Sequence, residues 1–279
     1  MGKITKLIPV LLLGTIPATM SHAQTAVQFV ARDYSPATGI WENTKKDESR
    51  NMFSVHPATN GFTIAQKSGN AVWFGQHTDG SAVSPMEFPE SATNFVKHGF
   101  FVVINKENAD RGTLVSAPVP LRIESHDPMD AYFGVTVNTG IPRDFIDEFL
   151  SMTNTVSVNA EESKTTIPDP FKLQLVEFAL SEDGEQQKCT LLDVFLGGHA
   201  AVAPQAGRSW RGAVAEAVFI IGDSPAESPT PRDLNAVRRY LSARHRLGLE
   251  THNEPEITSV LAKLEVRTFA TFTSLIMVK

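Results

Sequence analysis

The hydrophobic pattern of this chain is sharpest between residues 213 and 249. From Ala213 to Ile221 both alternating faces are apolar, with Ala213, Ala215, Ala217, Phe219 and Ile221 on one and Val214, Val218 and Ile220 on the other. A strand covered on both faces reads as such a continuous run. Glu216 interrupts the second face, and a carboxylate there needs a hydrogen-bonding or charged partner. It is read as structural, bonded to loop backbone or to an arginine. A Pro-rich turn leads into a helix over Pro231–Leu247, where Leu234, Val237, Leu241 and Arg244 follow a spacing of three to four, with Tyr240 and Leu247 beside them, as one apolar stripe. Thr230 suits the cap, Pro231 the first helical position and Asp233 the first turn. Arg244, His245 and Arg246 suit the last turn, and Gly248 the left-handed stop.

Upstream, short apolar runs separated by Gly- and Pro-bearing turns predict strands at Ala26–Ala31, Met52–Val55, Gly61–Gln66, Ala71–Phe74, Gly99–Asn105, Thr113–Ser116, Val119–Glu124, Ala131–Val137, Phe171–Ser181 and Lys188–Leu196. The run Phe100–Ile104 is apolar throughout, which marks a central strand. Trp41 opens a polar stretch through Arg50 that reads as an exposed loop. Pro142–Met152, with Phe145, Ile146, Phe149 and Leu150 on one face, predicts a helix, and Glu182-Asp183-Gly184 a hairpin turn. Many short strands at close spacing predict an all-β fold, a two-sheet jelly-roll β-sandwich with one late amphipathic helix packed on its edge.

The first residues change the picture of where this sandwich works. Lys3 and Lys6 precede an apolar core, Leu7–Ile16, and Ser21-His22-Ala23 has the small-x-small form of a signal peptidase site. Residues 1–23 are therefore expected to be a signal peptide, 24–249 the folded domain, and 250–279 a C-terminal extension. The expected location is periplasmic or secreted, with no membrane span after removal of the signal. The apolar tail from Ile257 to Val278 is open to three roles: an edge strand, a helix followed by a strand, or an oligomerisation segment. Cys189 is the sole cysteine, so no internal disulfide forms, and burial is expected for it. A net charge of −6 gives no electrostatic reason to expect nucleic acid or an anionic membrane surface as partner.

Candidate chemistry is sparse. The histidines stand singly, without His-x-His or His-Glu-x-x-His spacing. Gly222-Asp223-Ser224 contains a triplet found at esterase nucleophiles, but two prolines close behind it and no later Asp-x-x-His make it a turn. The paired carboxylates that glycoside cleavage needs do not occur at strand spacing, and Glu216 stands alone. Trp41, beside its polar loop, is the aromatic residue best placed for partial exposure and sugar stacking. His77 and Asp79 share a loop after a strand, which makes them binding candidates and leaves calcium open there. Trp210 is grouped with Glu216 as structural.

The stretch Trp210-Arg211-Gly212, Val214-Ala215-Glu216, Asp233, Tyr240-Leu241 and Arg246-Leu247-Gly248-Leu249 resembles the C-terminal signature of the concanavalin A-like lectin/glucanase superfamily in its laminin-G-like form. Fainter echoes are Phe29-Val30-Ala31-Arg32, Trp41, Val72-Trp73-Phe74-Gly75, Phe100–Ile104 and Phe195-Leu196-Gly197-Gly198. The Asp of the family's Phe-Asp-Gly is absent here. The resemblance implies the jelly-roll fold, and a non-catalytic module binding glycan or protein at the cell surface or in the periplasm. Two alternatives stand beside that expectation. One is a structural or assembly subunit forming a homo-oligomer through its apolar tail. The other is a glycan-cleaving enzyme on the same fold.

Overall fold

The structure is a computed structural model that describes residues 24–56, 60–66, 69–75, 77–79, 81, 83–105, 112–117, 121–125, 133–136, 155–158, 161–162, 173–179, 189–198, 212–225, 228–249 and 257–268. Trp210, the helix expected over Pro142–Met152, the turn at Glu182-Asp183-Gly184 and the tail beyond Thr268 lie outside the described residues.

The strands in chain order are β1 (Thr25–Ser35), β2 (Ile40–Asn43), β3 (Met52–Ser54), β4 (Phe62–Gln66), β5 (Gly69–Trp73), β6 (Met86–Glu87), β7 (Phe95–Asn105), β8 (Gly112–Ala117), β9 (Leu121–Ser125), β10 (Phe133–Thr136), β11 (Thr155–Val158), β12 (Glu161–Glu162), β13 (Gln174–Ala179), β14 (Phe195–Leu196) and β15 (Gly212–Gly222). Among the described residues, two helices follow, α1 (Pro231–His245) and α2 (Ile257–Lys263). The ladders are antiparallel, and their path runs β10-β9-β8-β14-β6-β3-β2-β1-β15-β7-β13-β11-β12. The protein is an all-β sandwich with late helices. Its path curls over on itself, for Phe88, just after β6, packs edge-on against Phe219 of β15 at 5.5 Å and Phe29 of β1 at 5.7 Å.

The continuous apolar run of β15 follows from its place in the sheet. All eleven of its residues are buried, between β7 on one edge and β1, then β5, on the other. Register sorts the side chains into two faces. Ala217 lies between Phe29 and Phe101, and Phe219 faces Val27 and Gly99. These residues point into the aromatic core, where Phe101 stacks on Phe178 at 5.8 Å. Gln28, Val218, Phe100 and Glu177 occupy the opposite face in one row, and Val30, Glu216, Val102 and Leu175 in the next. That second face is covered by α1. The helix therefore lies on a face of the sheet rather than on its edge, because the buried polar groups it must reach are in mid-sheet.

The capping box at Thr230 forms as its sequence implies: Asp233 N–H donates to Thr230 Oγ1 at 3.2 Å, and Thr230 N–H to Asp233 Oδ2 at 3.0 Å. The stop comes earlier than Gly248. Arg246 takes the left-handed position with φ 56°, and the Leu247 amide donates to Ser242 O at 3.0 Å. Helix α2 packs against α1, and Ile257, Val260, Leu261, Leu264 and Val266 join the same hydrophobic core. The packed unit thus runs past Leu249. The Ala26 amide donates to Leu264 O at 2.8 Å, which ties the start of β1 to this segment. No helix among the described residues is long and apolar enough to cross a membrane.

Candidate functional site

Two polar constellations stand out, one sealed inside the protein and one open to solvent. The sealed one joins the sheet to α1. Glu216 is fully buried, and its Oε1 accepts from Gln28 Nε2 at 2.6 Å and from the Tyr240 hydroxyl at 2.9 Å. Its Oε2 meets His245 Nε2 at 2.8 Å and Arg244 Nε at 2.6 Å. Burial opposes ionisation of Glu216, but the contacts with His245, Arg244 and Gln28 outweigh it, so the carboxyl lies below its ordinary range. The Gln28 side chain also reaches the segment after α2, where its Oε1 accepts from the Arg267 amide at 2.9 Å.

Along the same helix a second carboxylate repeats the plan. Glu177 of β13 accepts from Arg238 Nε at 2.8 and 2.9 Å and lies 3.2 Å from His98 Nε2 of β7. Burial works against its ionisation, and the bonds from His98 and Arg238 prevail, which lowers its pKa. Burial lowers the pKa of His98 against the pull of Glu177. Each histidine turns Nε2 to its carboxylate, and each Nδ1 is buried without a hydrogen bond among the described residues. Neither carboxylate has an approach for a substrate. This constellation holds the helix to the sheet.

The open constellation begins at an irregularity in β1. Phe29 pairs with Asn43, yet Tyr34 pairs with Trp41, so the strand bulges through residues 30–33. Beyond Val30, β1 parts from β15, and β5 takes its place against Ala213 and Val214. The bulge leaves the Val30 carbonyl without a ladder partner, and Trp41 Nε1 donates to it at 2.8 Å. Outside the bulge a cleft of about 430 Å³ is lined by Arg32, Asp33, Thr38, Ile40, Glu42 and Lys46, with Tyr34 and Ser35 behind them. Two cations and two carboxylates leave it formally balanced. Arg32 Nε and Lys46 Nζ each stop 3.9 Å from Asp33 Oδ1, too far for a direct hydrogen bond. Asp33 Oδ2 is buried with no hydrogen-bond partner among the described residues. Lys46, paired with Glu42, sits at φ 61°, a backbone conformation that costs a non-glycine residue about 1 kcal/mol or more.

The residues singled out from sequence fall elsewhere. Trp41 has no exposed surface, which corrects the expectation of partial exposure. Its ring packs edge-on against Phe29 at 5.7 Å, and its N–H is committed to the bulge. The stretch after it is exposed at Glu42, Lys45, Lys46, Glu48 and Ser49, as expected, but is tied down at its start. Asn43 is buried and donates to Asn51 Oδ1 at 2.9 Å and Asp47 O at 2.6 Å. His77 and Asp79 do share a loop. Asp79 is exposed and accepts from Ser81 Oγ at 2.6 Å and Ser81 N at 2.9 Å, bonds that lower its pKa. The His77 ring lies 5.7 Å from Phe62. Among the described residues, no three His, Cys, Asp or Glu side chains converge as a metal site. Asp223 is a turn residue whose Oδ1 accepts from Asn94 Nδ2 at 2.8 Å. Cys189 is a buried free thiol, its pKa pushed up by that burial.

Sequence reasoning missed Arg32 and Asp33 because a bulge over residues 30–33 has no periodic signature, and Lys46 because it reaches the cleft only through the β1–β2 register. The partner of Glu216 had one. Gln28 is the lone polar residue in Ala26–Ala31, as Glu216 is in Ala213–Ile221, and two isolated polar groups on apolar strands are natural partners.

An all-β sandwich with a sealed helix–sheet junction and a balanced polar cleft is the class of protein these features define. No family model, curated protein or solved structure matches the chain.

Proposed function

We propose that this protein is an exported, non-catalytic binding module whose ligand is a glycan or a protein at the cell surface or in the periplasm. The observation that carries the reading is Asp33 at the side of a charge-balanced cleft: its Oδ2 has no hydrogen-bond partner among the described residues, and its Oδ1 stands 3.9 Å from both Arg32 and Lys46. Binding sites are concave and carry a few placed polar groups that fix a ligand's orientation. Export is supported by the basic start, apolar core and small-x-small site of the first 23 residues. The order of Val214-Ala215-Glu216, Asp233 and Tyr240-Leu241 supports kinship with concanavalin A-like domains. The role as a non-catalytic module is supported by the engagement of Glu216 and Glu177 in helix anchoring, where neither reaches a surface.

The mature protein, beginning at Gln24, is tested on immobilised polysaccharides and envelope proteins. The reading expects retention of a ligand that is recovered at unchanged chain length. Release of reducing ends during the incubation would refute the non-catalytic part.

A further inference from the structure

Deepening the binding-module reading, on which it rests, we propose that the cleft beside the β1 bulge takes a neutral polyhydroxyl group, such as an uncharged sugar residue with two adjacent hydroxyls. The two gaps at Asp33 Oδ1 carry the argument. Arg32 and Lys46 both face this one oxygen at 3.9 Å, with neither in hydrogen-bonding range. A gap between a cationic donor and a carboxylate acceptor is filled by a group that accepts from one and donates to the other. A hydroxyl does both.

Other ligand chemistries do only half of this. A carboxylate or phosphate accepts from Arg32 and Lys46 but is repelled by Asp33 and Glu42. An ammonium or a metal cation satisfies Asp33 but meets two cations already in place. Formal neutrality of the lining therefore favours a neutral ligand, and two gaps on one oxygen favour a pair of hydroxyls. The volume of about 430 Å³ is within the usual range for small-molecule sites. Ile40, half-buried among the lining residues, offers the apolar patch on which the C–H face of a sugar ring rests.

The test uses the mature protein in EDTA on an array holding neutral, uronate-bearing and sulfated glycans, followed by calorimetric titration of the best neutral oligosaccharide. The expected result is binding of neutral glycans without calcium, weakened about tenfold or more by Asp33→Asn and by Lys46→Ala, but unchanged by Glu90→Gln, an exposed acid that does not line the cleft. Melting temperatures equal to the parent's establish that both cleft variants are folded. Binding confined to acidic glycans overturns the inference and leaves the module reading standing. Neutral-glycan binding that survives Asp33→Asn in a folded protein has the same meaning. An array without any bound glycan overturns the inference together with the glycan half of the reading, so that only a protein ligand remains.

Discussion

Replacing Glu216 by Gln is predicted to cost stability and to spare ligand binding. The substitution keeps the shape of the side chain and removes its charge. The amide oxygen can still accept from Gln28 and Tyr240, which lie at 2.6 and 2.9 Å. The amide nitrogen then faces His245 Nε2 and Arg244 Nε, both within 2.8 Å of the oxygen it replaces. His245 can change tautomer, but that places an N–H on its buried, unpartnered Nδ1. Arg244 has no second tautomer, and its side chain is only 16% exposed, so it keeps its charge after losing the Glu216 carboxylate 2.6 Å away. Removing one partner of a buried pair costs about 3–5 kcal/mol. For a domain of this size, each kcal/mol moves Tm by about 2–4 °C, so a fall of roughly 6–20 °C is expected. Thermal unfolding followed by circular dichroism, with urea titration at pH 7 as a second measure, tests this. A variant melting within 2 °C of the parent, on the order of the method's scatter, would refute the view that Glu216 ties the helix to the sheet. Lost binding at unchanged Tm would make it a ligand group instead.

Three further predictions concern the same architecture. Stability should fall on acidification in two stages. The folded pKa of His98 lies below its ordinary 6.5, so the unfolded chain binds more protons below about that pH, and stability declines as pH drops through it. Glu216 and Glu177 lie below their ordinary 4.5, so their contribution is intact above that value and is lost as pH falls through their folded pKa values. Urea midpoints at pH 7.5, 5.5 and 3.5 (conditions roughly bracketing those ordinary values) should decrease in that order, and a flat profile would count against both. Trp41→Phe leaves the Val30 carbonyl unpaired in the bulge and should cost about 1–3 kcal/mol in urea unfolding; a neutral effect would mean that the indole N–H bond is dispensable. Leu261→Ala on α2 opens a cavity at a fully buried site and should cost about 2–5 kcal/mol, whereas a helix merely resting on the surface would tolerate the change.

Much of the architecture is legible along the chain because its signals are local. The apolar run of β15 appears within one residue of its ends, and the Thr230–Asp233 cap is visible in the letters themselves. What escapes reading depends on distant partners. The polar stretch 42–50 is exposed over most of its length, and what it does not announce is that Asn51 occupies the hydrogen-bonding groups of Asn43. Around residue 191 the expected strand gives way to a tight 3-10 turn, Leu191–Asp193, and the reason is again a local box. The Thr190 amide donates to Asp193 Oδ2 at 2.8 Å, so a threonine followed three residues later by aspartate marked a cap rather than the middle of a strand. The second helix was one of three roles left open for the tail, because its β-branched composition favours strands until packing against α1 decides. The cleft was not legible at all, since its lining is assembled by the register shift between β1 and β2.

That register shift also explains how a surface cleft on a hairpin is held to a fixed shape. β1 is pinned from both sides within a few residues of Asp33. On the helix face Gln28 bonds to Glu216, Tyr240 and the Arg267 amide. On the core face Phe29 packs against Trp41, Phe88 and Phe219. At the bulge itself the Val30 carbonyl takes the indole N–H, and Tyr34, just past Asp33, sends its hydroxyl to Gly61 O at 3.0 Å. Asp33 therefore hangs from backbone anchored on either side, and little entropy remains to be lost when a ligand meets it. The sealed polar network and the open cleft are two uses of one strand. On β1's helix side Gln28 joins a paired network that fixes the strand in place, and on its outer side Asp33 Oδ2 is left without a hydrogen bond among the described residues.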